Sequence, residues 1–115
     1  MSSTSKDQIR DLNDRFRKGE SGIPGNVIAT SGVAALLEEN KLEFADISKI
    51  VREYDSFSED NDPHNEHDFG NFEFCQRKCY WKFDYYDADM LYGSEDPADK
   101  SKTHRVLTIL LASEY

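Results

Sequence analysis

Residues 68–86 read DFGNFEFCQRKCYWKFDYY, and the fold is decided by how this stretch is read. Phe69, Phe72 and Phe74 stand among polar residues, and Tyr80, Trp81, Phe83, Tyr85 and Tyr86 follow after a short polar gap. Aromatic residues alternating with polar ones favour a strand with one buried face. Gln76-Arg77-Lys78 separates two such runs, so the pattern predicts an antiparallel hairpin of residues 68–75 and 79–86 with its turn at 76–78. Side chains alternate across a strand, which puts Phe72 and Phe74 on one face with Glu73 on the other. In the second strand Trp81 and Phe83 share a face, opposite Tyr80 and Lys82.

The hairpin sits inside the most unusual part of the chain. From Asp55 to Asp99 thirteen residues are Asp or Glu and only Arg77, Lys78 and Lys82 oppose them, a local charge of −10. The whole chain of 115 residues carries −9, so the remainder sums to +1. Segments 55–67 and 87–100 read as acidic loops around the hairpin, rich in Asp, Asn, Ser, Gly and Pro. A balance of this sign argues against direct binding to a phosphate backbone, which needs clustered Lys and Arg. It favours attraction to a basic partner.

The flanks complete the architecture. Residues 1–4 are expected to be frayed. Ser5 and Gln8 resemble a capping box opening a helix to Lys18, with Ile9, Leu12 and Phe16 as its apolar stripe and Arg10, Arg15, Arg17 and Lys18 on its wet face. Residues 26–30 read as a short β-branched strand, broken by Thr30-Ser31-Gly32. Val33–Leu37 then suits a helical turn. Small residues between a strand and a helix can hold an anion on backbone N–H groups, although one glycine and no lysine make the signal weak. Leu42, Ile47, Ile50, Val51 and Tyr54 predict a helix over 41–54. Val106 to Leu111 is the most apolar segment. It would suit a buried strand, but Ala112-Ser113-Glu114 continues without a breaker, so residues 101–113 are read as a helix. The expectation is a single α+β domain over 1–115: a three-stranded antiparallel sheet with about three helices packed mainly on one face.

An apolar fraction of 37% and a charged fraction of 32% fit a small soluble domain. No apolar run approaches a membrane span, and the polar start lacks a signal peptide's core, so the expected location is the cytoplasm, or a host cytoplasm for a phage-encoded gene. Neither membrane nor nucleic acid is expected as a direct partner, and no cofactor is implied.

The central stretch holds the residue types of four chemistries. Calcium loops of the EF-hand type fail in both frames: starting at Asp60 the sixth position is Asn65, and starting at Asp62 it is His67, where glycine is needed. His64, His67, Cys75 and Cys79 form a zinc-like ligand set, but in an order unlike the common finger. Glu66, His67 and Asp68, with Asp84 or Asp87, supply the groups of a metal-dependent hydrolase, yet consecutive strand residues point to opposite faces. The fourth reading is an acidic recognition surface. Carboxylates of Asp60, Asp62, Glu66, Asp68, Asp84, Asp87, Asp89, Asp96 and Asp99 would attract a basic groove, with Tyr85, Tyr86 and Tyr92 as anchors. None of these carboxylates has a structural duty legible in the sequence.

The motifs Ile9–Asp14 (IRDLND), Phe57–Gly70 (FSEDNDPHNEHDFG), Trp81–Asp87 (WKFDYYD), Gly93–Asp99 (GSEDPAD) and Arg105–Tyr115 (RVLTILLASEY) resemble a family known as domain of unknown function 3768. Phe83 stands where that pattern has isoleucine, and the two cysteines fall outside it. The resemblance implies short proteobacterial proteins often carried on plasmids and phages, and it implies no activity. Small acidic proteins of mobile elements are often counter-defence factors. By that analogy the expected partner is a host protein with a basic nucleic-acid-binding surface, a CRISPR effector or another defence complex, blocked by anti-CRISPR or antirestriction-type DNA mimicry. A metal-dependent hydrolase using Glu66, His67, Asp84 and Asp87, or a host-regulatory adaptor, are the alternatives.

Overall fold

The structure, a computed structural model, describes residues 4–115. Residues 1–3, most of the segment expected to fray, lie outside it. Thr4 is ordered: its side chain accepts a bond from the Asp7 backbone N–H while Asp7 accepts from the Thr4 N–H. The capping box of the first helix is therefore Thr4/Asp7, one residue before the pair read from the sequence.

The described residues form three helices and four strands: α1 (Ser5–Arg17), β1 (Gly25–Ala29), α2 (Ser31–Glu39), α3 (Phe44–Arg52), β2 (Phe69–Phe74), β3 (Arg77–Tyr86) and β4 (His104–Leu111). Single 3-10 turns cover Lys100–Lys102 and Ala112–Glu114. The sheet order is β1-β4-β3-β2. β2 pairs antiparallel with β3 and β3 with β4, whereas β1 pairs parallel with β4.

The α+β class stands as read, and the hairpin forms, but its turn is Cys75-Gln76, both at positive φ, rather than 76–78, so Arg77 and Lys78 belong to β3. The sheet is corrected to four strands and mixed. The segment read as a closing helix is β4, the inner strand between β1 and β3. Both faces of β4 are covered, residues 105–111 being buried without exception, so Val106 to Leu111 shows none of the alternation that β3, the other inner strand, keeps. The third helix is instead α2, longer than the single turn expected at Val33–Leu37.

One face of the sheet carries the core. Phe74, Cys79, Trp81 and Phe83 of the hairpin join Leu107, Ile109 and Leu111 of β4 against Val33, Leu36 and Leu37 of α2 and Ile47 and Val51 of α3. α1 adds Phe16, whose ring meets Phe83 edge-on. Trp81 is fully buried and lies opposite Gly70 in the β2–β3 register. A Cβ at Gly70 would run into the indole ring, so glycine here makes room for the tryptophan rather than for a turn.

Gly70→Ala is expected to lose about 1–3 kcal/mol of stability, the usual cost of overpacking a tight site. Chemical denaturation followed by Trp81 fluorescence measures it. An unchanged midpoint would mean that the indole has another place to go.

Candidate functional site

The acidic segments are built on two polar hubs, both anchored on α1. The first is Arg17, a buried side chain. Its Nη1 donates to the carbonyls of Val51, Arg52 and Tyr54 at 2.8, 3.2 and 3.0 Å. These carbonyls lie in and just past the last turn of α3, where a cation meets the negative end of the helix dipole. Nη2 donates to Asp14, and the guanidinium lies over the rings of Phe57 and Trp81. Asp14 in turn accepts from His67 Nδ1 at 2.8 Å. Because a carboxylate only accepts, this nitrogen carries the proton. The imidazole stacks flat on Phe57, with ring centroids 3.7 Å apart. Its Nε2 lies 3.6 Å from Asp62.

Asp62 organises the loop it sits in. Its Oδ1 accepts from the backbone N–H groups of Glu66 and His67, and its side chain is buried. It therefore presents no charge to a partner, contrary to the sequence reading. Asn65 and His67 both take positive φ, which bends the chain around this carboxylate. Glu66 and Asp68 are half-buried. Desolvation, reinforced by their mutual repulsion for Glu66 and by Asp62 for Asp68, raises both carboxyls above their ordinary pKa values.

The second hub joins α1 to the other loop. Buried Asn13 donates to the Tyr85 hydroxyl at 2.8 Å and accepts from Arg105 Nε at 2.8 Å. It also donates to the Glu66 carbonyl. Arg105, fully buried, reaches the Pro97 carbonyl with Nη2. Burial holds the Arg105 guanidinium below and the Tyr85 phenol above their ordinary pKa values. Tyr85 is thus a core-facing link and not a free anchor.

Past β3 the chain makes a projecting turn. Asp87 donates its N–H to the Tyr92 carbonyl, its own carbonyl accepts from Met90, and its carboxylate accepts from the Leu91 N–H at 3.0 Å. Tyr86 bridges Gly93, and the Ser94 N–H bonds the Tyr85 carbonyl. The tip so fixed exposes Met90, Leu91 (73%) and Tyr92 (74%). Asp89 and Glu95 stand exposed on either side of it. Below it, Asp96 accepts from the Ala98 N–H and Asp99 from the Ser101 N–H and hydroxyl. The bonds to Ser101 hold the Asp99 carboxyl below its ordinary pKa. A groove of about 870 Å³ runs between α1 and residues 96–100, lined by Asp7, Arg10, Asp11, Arg15, Asp99 and Lys100 among others.

The residues singled out in the sequence are thus divided. Asp60, Tyr86, Asp89 and Tyr92 face solvent. Asp84 pairs with Lys82 at 2.7 Å. Asp62, Asp87, Asp96 and Asp99 hold backbone N–H groups, a structural duty the sequence did not disclose. Within the hydrolase set His67 is held by Asp14 and lies near Asp62, Asp84 pairs with Lys82, and Asp87 holds its own turn. In the zinc set His64 is exposed, Cys75 sits in the hairpin turn and Cys79 is buried in β3. Among the described residues no group of three or more His, Cys, Asp or Glu side chains is arranged to hold a metal ion. The anion-binding loop at Thr30–Gly32 holds an anion from the chain itself. Glu114 accepts from the Thr30 hydroxyl at 2.6 Å and the Gly32 N–H at 3.1 Å. Sequence reading missed Met90 and Leu91, whose signal was an apolar pair inside an acidic run, and it missed the buried Asn13, Arg17 and Arg105.

The model of a family described as "protein of unknown function (DUF3768)" matches residues 29–114. The chain belongs to that family. The matched span takes in both acidic segments, the hairpin and β4; α1, with the IRDLND motif, precedes it. No curated protein and no solved structure matches the chain. No helix among the described residues is long and apolar enough to cross a membrane.

The raised carboxyl of Asp68 sets a direction for stability. Between its unfolded and folded pKa values the native state binds more protons than the unfolded state, so ionising this group costs stability as pH rises through that interval. Below the unfolded value, near 3.8, both states are protonated and the cost vanishes. Asp68→Asn is therefore expected to raise the denaturation midpoint at pH 7 and to leave it unchanged at pH 3. A loss of stability at pH 7 would show that the charge has a favourable partner.

Proposed function

We propose that this chain is a non-catalytic inhibitor that binds the basic, nucleic-acid-handling surface of a host protein, with a CRISPR effector or another defence complex as its target class. The observation that carries this reading is the tip at Met90-Leu91-Tyr92, apolar, exposed and flanked by exposed carboxylates. Large apolar side chains held out by a hydrogen-bonded turn are costly in water, and they gain most by entering a pocket on another protein. The carboxylates around them repel nucleic acid and attract a cationic surface over a distance.

A groove built to hold a phosphate backbone offers such a surface. Asp60 and Asp89, with Asp55, Glu59 and Glu95, are exposed and take no part in the hydrogen bonds that hold the loops. They are the carboxylates available to stand in for phosphates. Tyr86 and Tyr92 provide contact area at small cost in side-chain entropy. The mobile-element setting that the family resemblance implies agrees with an inhibitor of host defence.

The test is a pull-down from host lysate with competition by duplex DNA. The wild-type chain should retain a nucleic-acid-binding protein that the duplex releases. Leu91→Ala with Tyr92→Ala should weaken retention at least about tenfold, as expected for loss of central apolar anchors. Asp60→Lys with Asp89→Lys and Glu95→Lys should do the same with an unchanged circular dichroism spectrum. Retention unaffected by duplex DNA and by both sets of substitutions would overturn the proposal.

A further inference from the structure

The two edges of the sheet are protected very differently. β2, at one edge, carries Glu73 and is entered through Glu66 and Asp68. β1, at the other, reads Gly25-Asn26-Val27-Ile28-Ala29 and lies within residues 21–37, which contain no charged side chain in a chain of net charge −9. Its register with β4 runs without a bulge from Gly25↔Arg105 to Ala29↔Ile109. Exposed edge strands are normally blunted by lysine, proline, bulges or a covering element. β1 itself has none of the first three, and among the described residues no strand pairs with its outer side. Val27 and Ile28, which point to opposite faces, are 42% and 45% exposed, so neither layer covers it.

The outer edge has a definite hydrogen-bonding pattern. The Pro24 carbonyl accepts from Arg105, and the Thr30 N–H donates to Ile109. In a parallel pair, alternate residues turn both backbone groups toward the neighbour. Asn26 and Ile28 therefore face β4, and the N–H and C=O groups of Gly25, Val27 and Ala29 face outward. This set is symmetric about Val27. Two antiparallel copies related by a two-fold axis through Val27 would pair Val27 with Val27 and Gly25 with Ala29, giving about six backbone bonds.

We infer that β1 is a self-association edge, and that two copies of this chain join there into one continuous eight-stranded sheet. The charge distribution selects a second copy over other occupants. The edge is the neutral part of an acidic molecule, and the sheet order places acidic β2 at the far margin of each copy. Two chains of the same sign meet where their repulsion is least, and at an edge whose pattern is complementary to itself. A five-residue strand pair buries well below the ~1,600 Å² of a standard interface, so the dimer is weak, with a dissociation constant on the order of 100 μM.

Sedimentation velocity from about 5 μM to about 1 mM, a range that brackets this constant, should show a reversible monomer–dimer equilibrium. Amide exchange at Gly25, Val27 and Ala29 should slow as the concentration rises. Val27→Pro removes an outward N–H that β4 does not use, and Val27→Lys sets two ammonium groups opposite each other on the axis. Each should shift dissociation at least tenfold. Val27→Lys disturbs no backbone bond, so it decides the matter if the proline variant fails to fold by circular dichroism. Glu73→Lys on the opposite edge should leave association unchanged. A wild-type chain that stays monomeric throughout, a dimer that survives both Val27 variants, or a dimer without protection of these three amides would overturn the inference.

Discussion

One guanidinium group holds the helical layer to the sheet and to the acidic loop beneath it. Burying a cation costs several kcal/mol unless its donors and its charge are met. Arg17 sets Nη1 on three carbonyls at the end of α3, Nη2 on the carboxylate of Asp14 and its plane over Phe57 and Trp81, and leaves only Nε buried without a partner. The arrangement reaches four elements, α1, α3, the 55–67 segment and β3, and adds polar bonds to the apolar packing of Phe16, Val51, Phe57 and Trp81. Through Asp14 it also orients His67, and through His67 it meets Asp62. The loop that looks in composition like free, solvated chain is tied down at its centre.

The network of Asn13, Tyr85 and Arg105 does the same for the second acidic segment. α1 therefore binds through polar side chains as much as through its stripe of Ile9, Leu12 and Phe16. The result bears on function. A recognition loop that must order itself on binding loses affinity to conformational entropy. Here Asp87, Asp96 and Asp99 spend their charge on backbone N–H groups, which leaves Asp89, Glu95 and the apolar tip presented on a preformed turn.

The hairpin was legible because its strands alternate, and alternation appears only where one face is dry and the other wet. β4 was not legible for the same reason: lying between two strands and buried on both faces, VLTILL has no period to read, and an apolar run without a breaker also fits a helix. The parallel pairing of β1 depended on that strand and was lost with it. At the candidate site, the exposed members of the acidic set could be named from composition. The buried members could not, because Asp62 differs from Asp60 only in what folds around it. Arg17 is a similar case: three positions from Asp14 on a charged helix, it resembles a surface ion pair until α3 is placed over it. Glu114 is legible only after the fold is known, since the loop it fills lies more than eighty residues earlier.

The pairing of β1 with β4 also governs how the molecule forms. β2 and β3 meet across a tight turn, and their contacts are local. β1 has no neighbour in the sheet until β4 arrives, and Gly25 and Arg105 stand eighty positions apart. Closing a loop of that length must be accomplished before any contact within it is rewarded, and such topologies fold slowly. Until then the uncharged strand that ends up at the sheet margin is free on both sides. Like charge on the rest of the chain opposes the association of copies in which this strand is not yet paired.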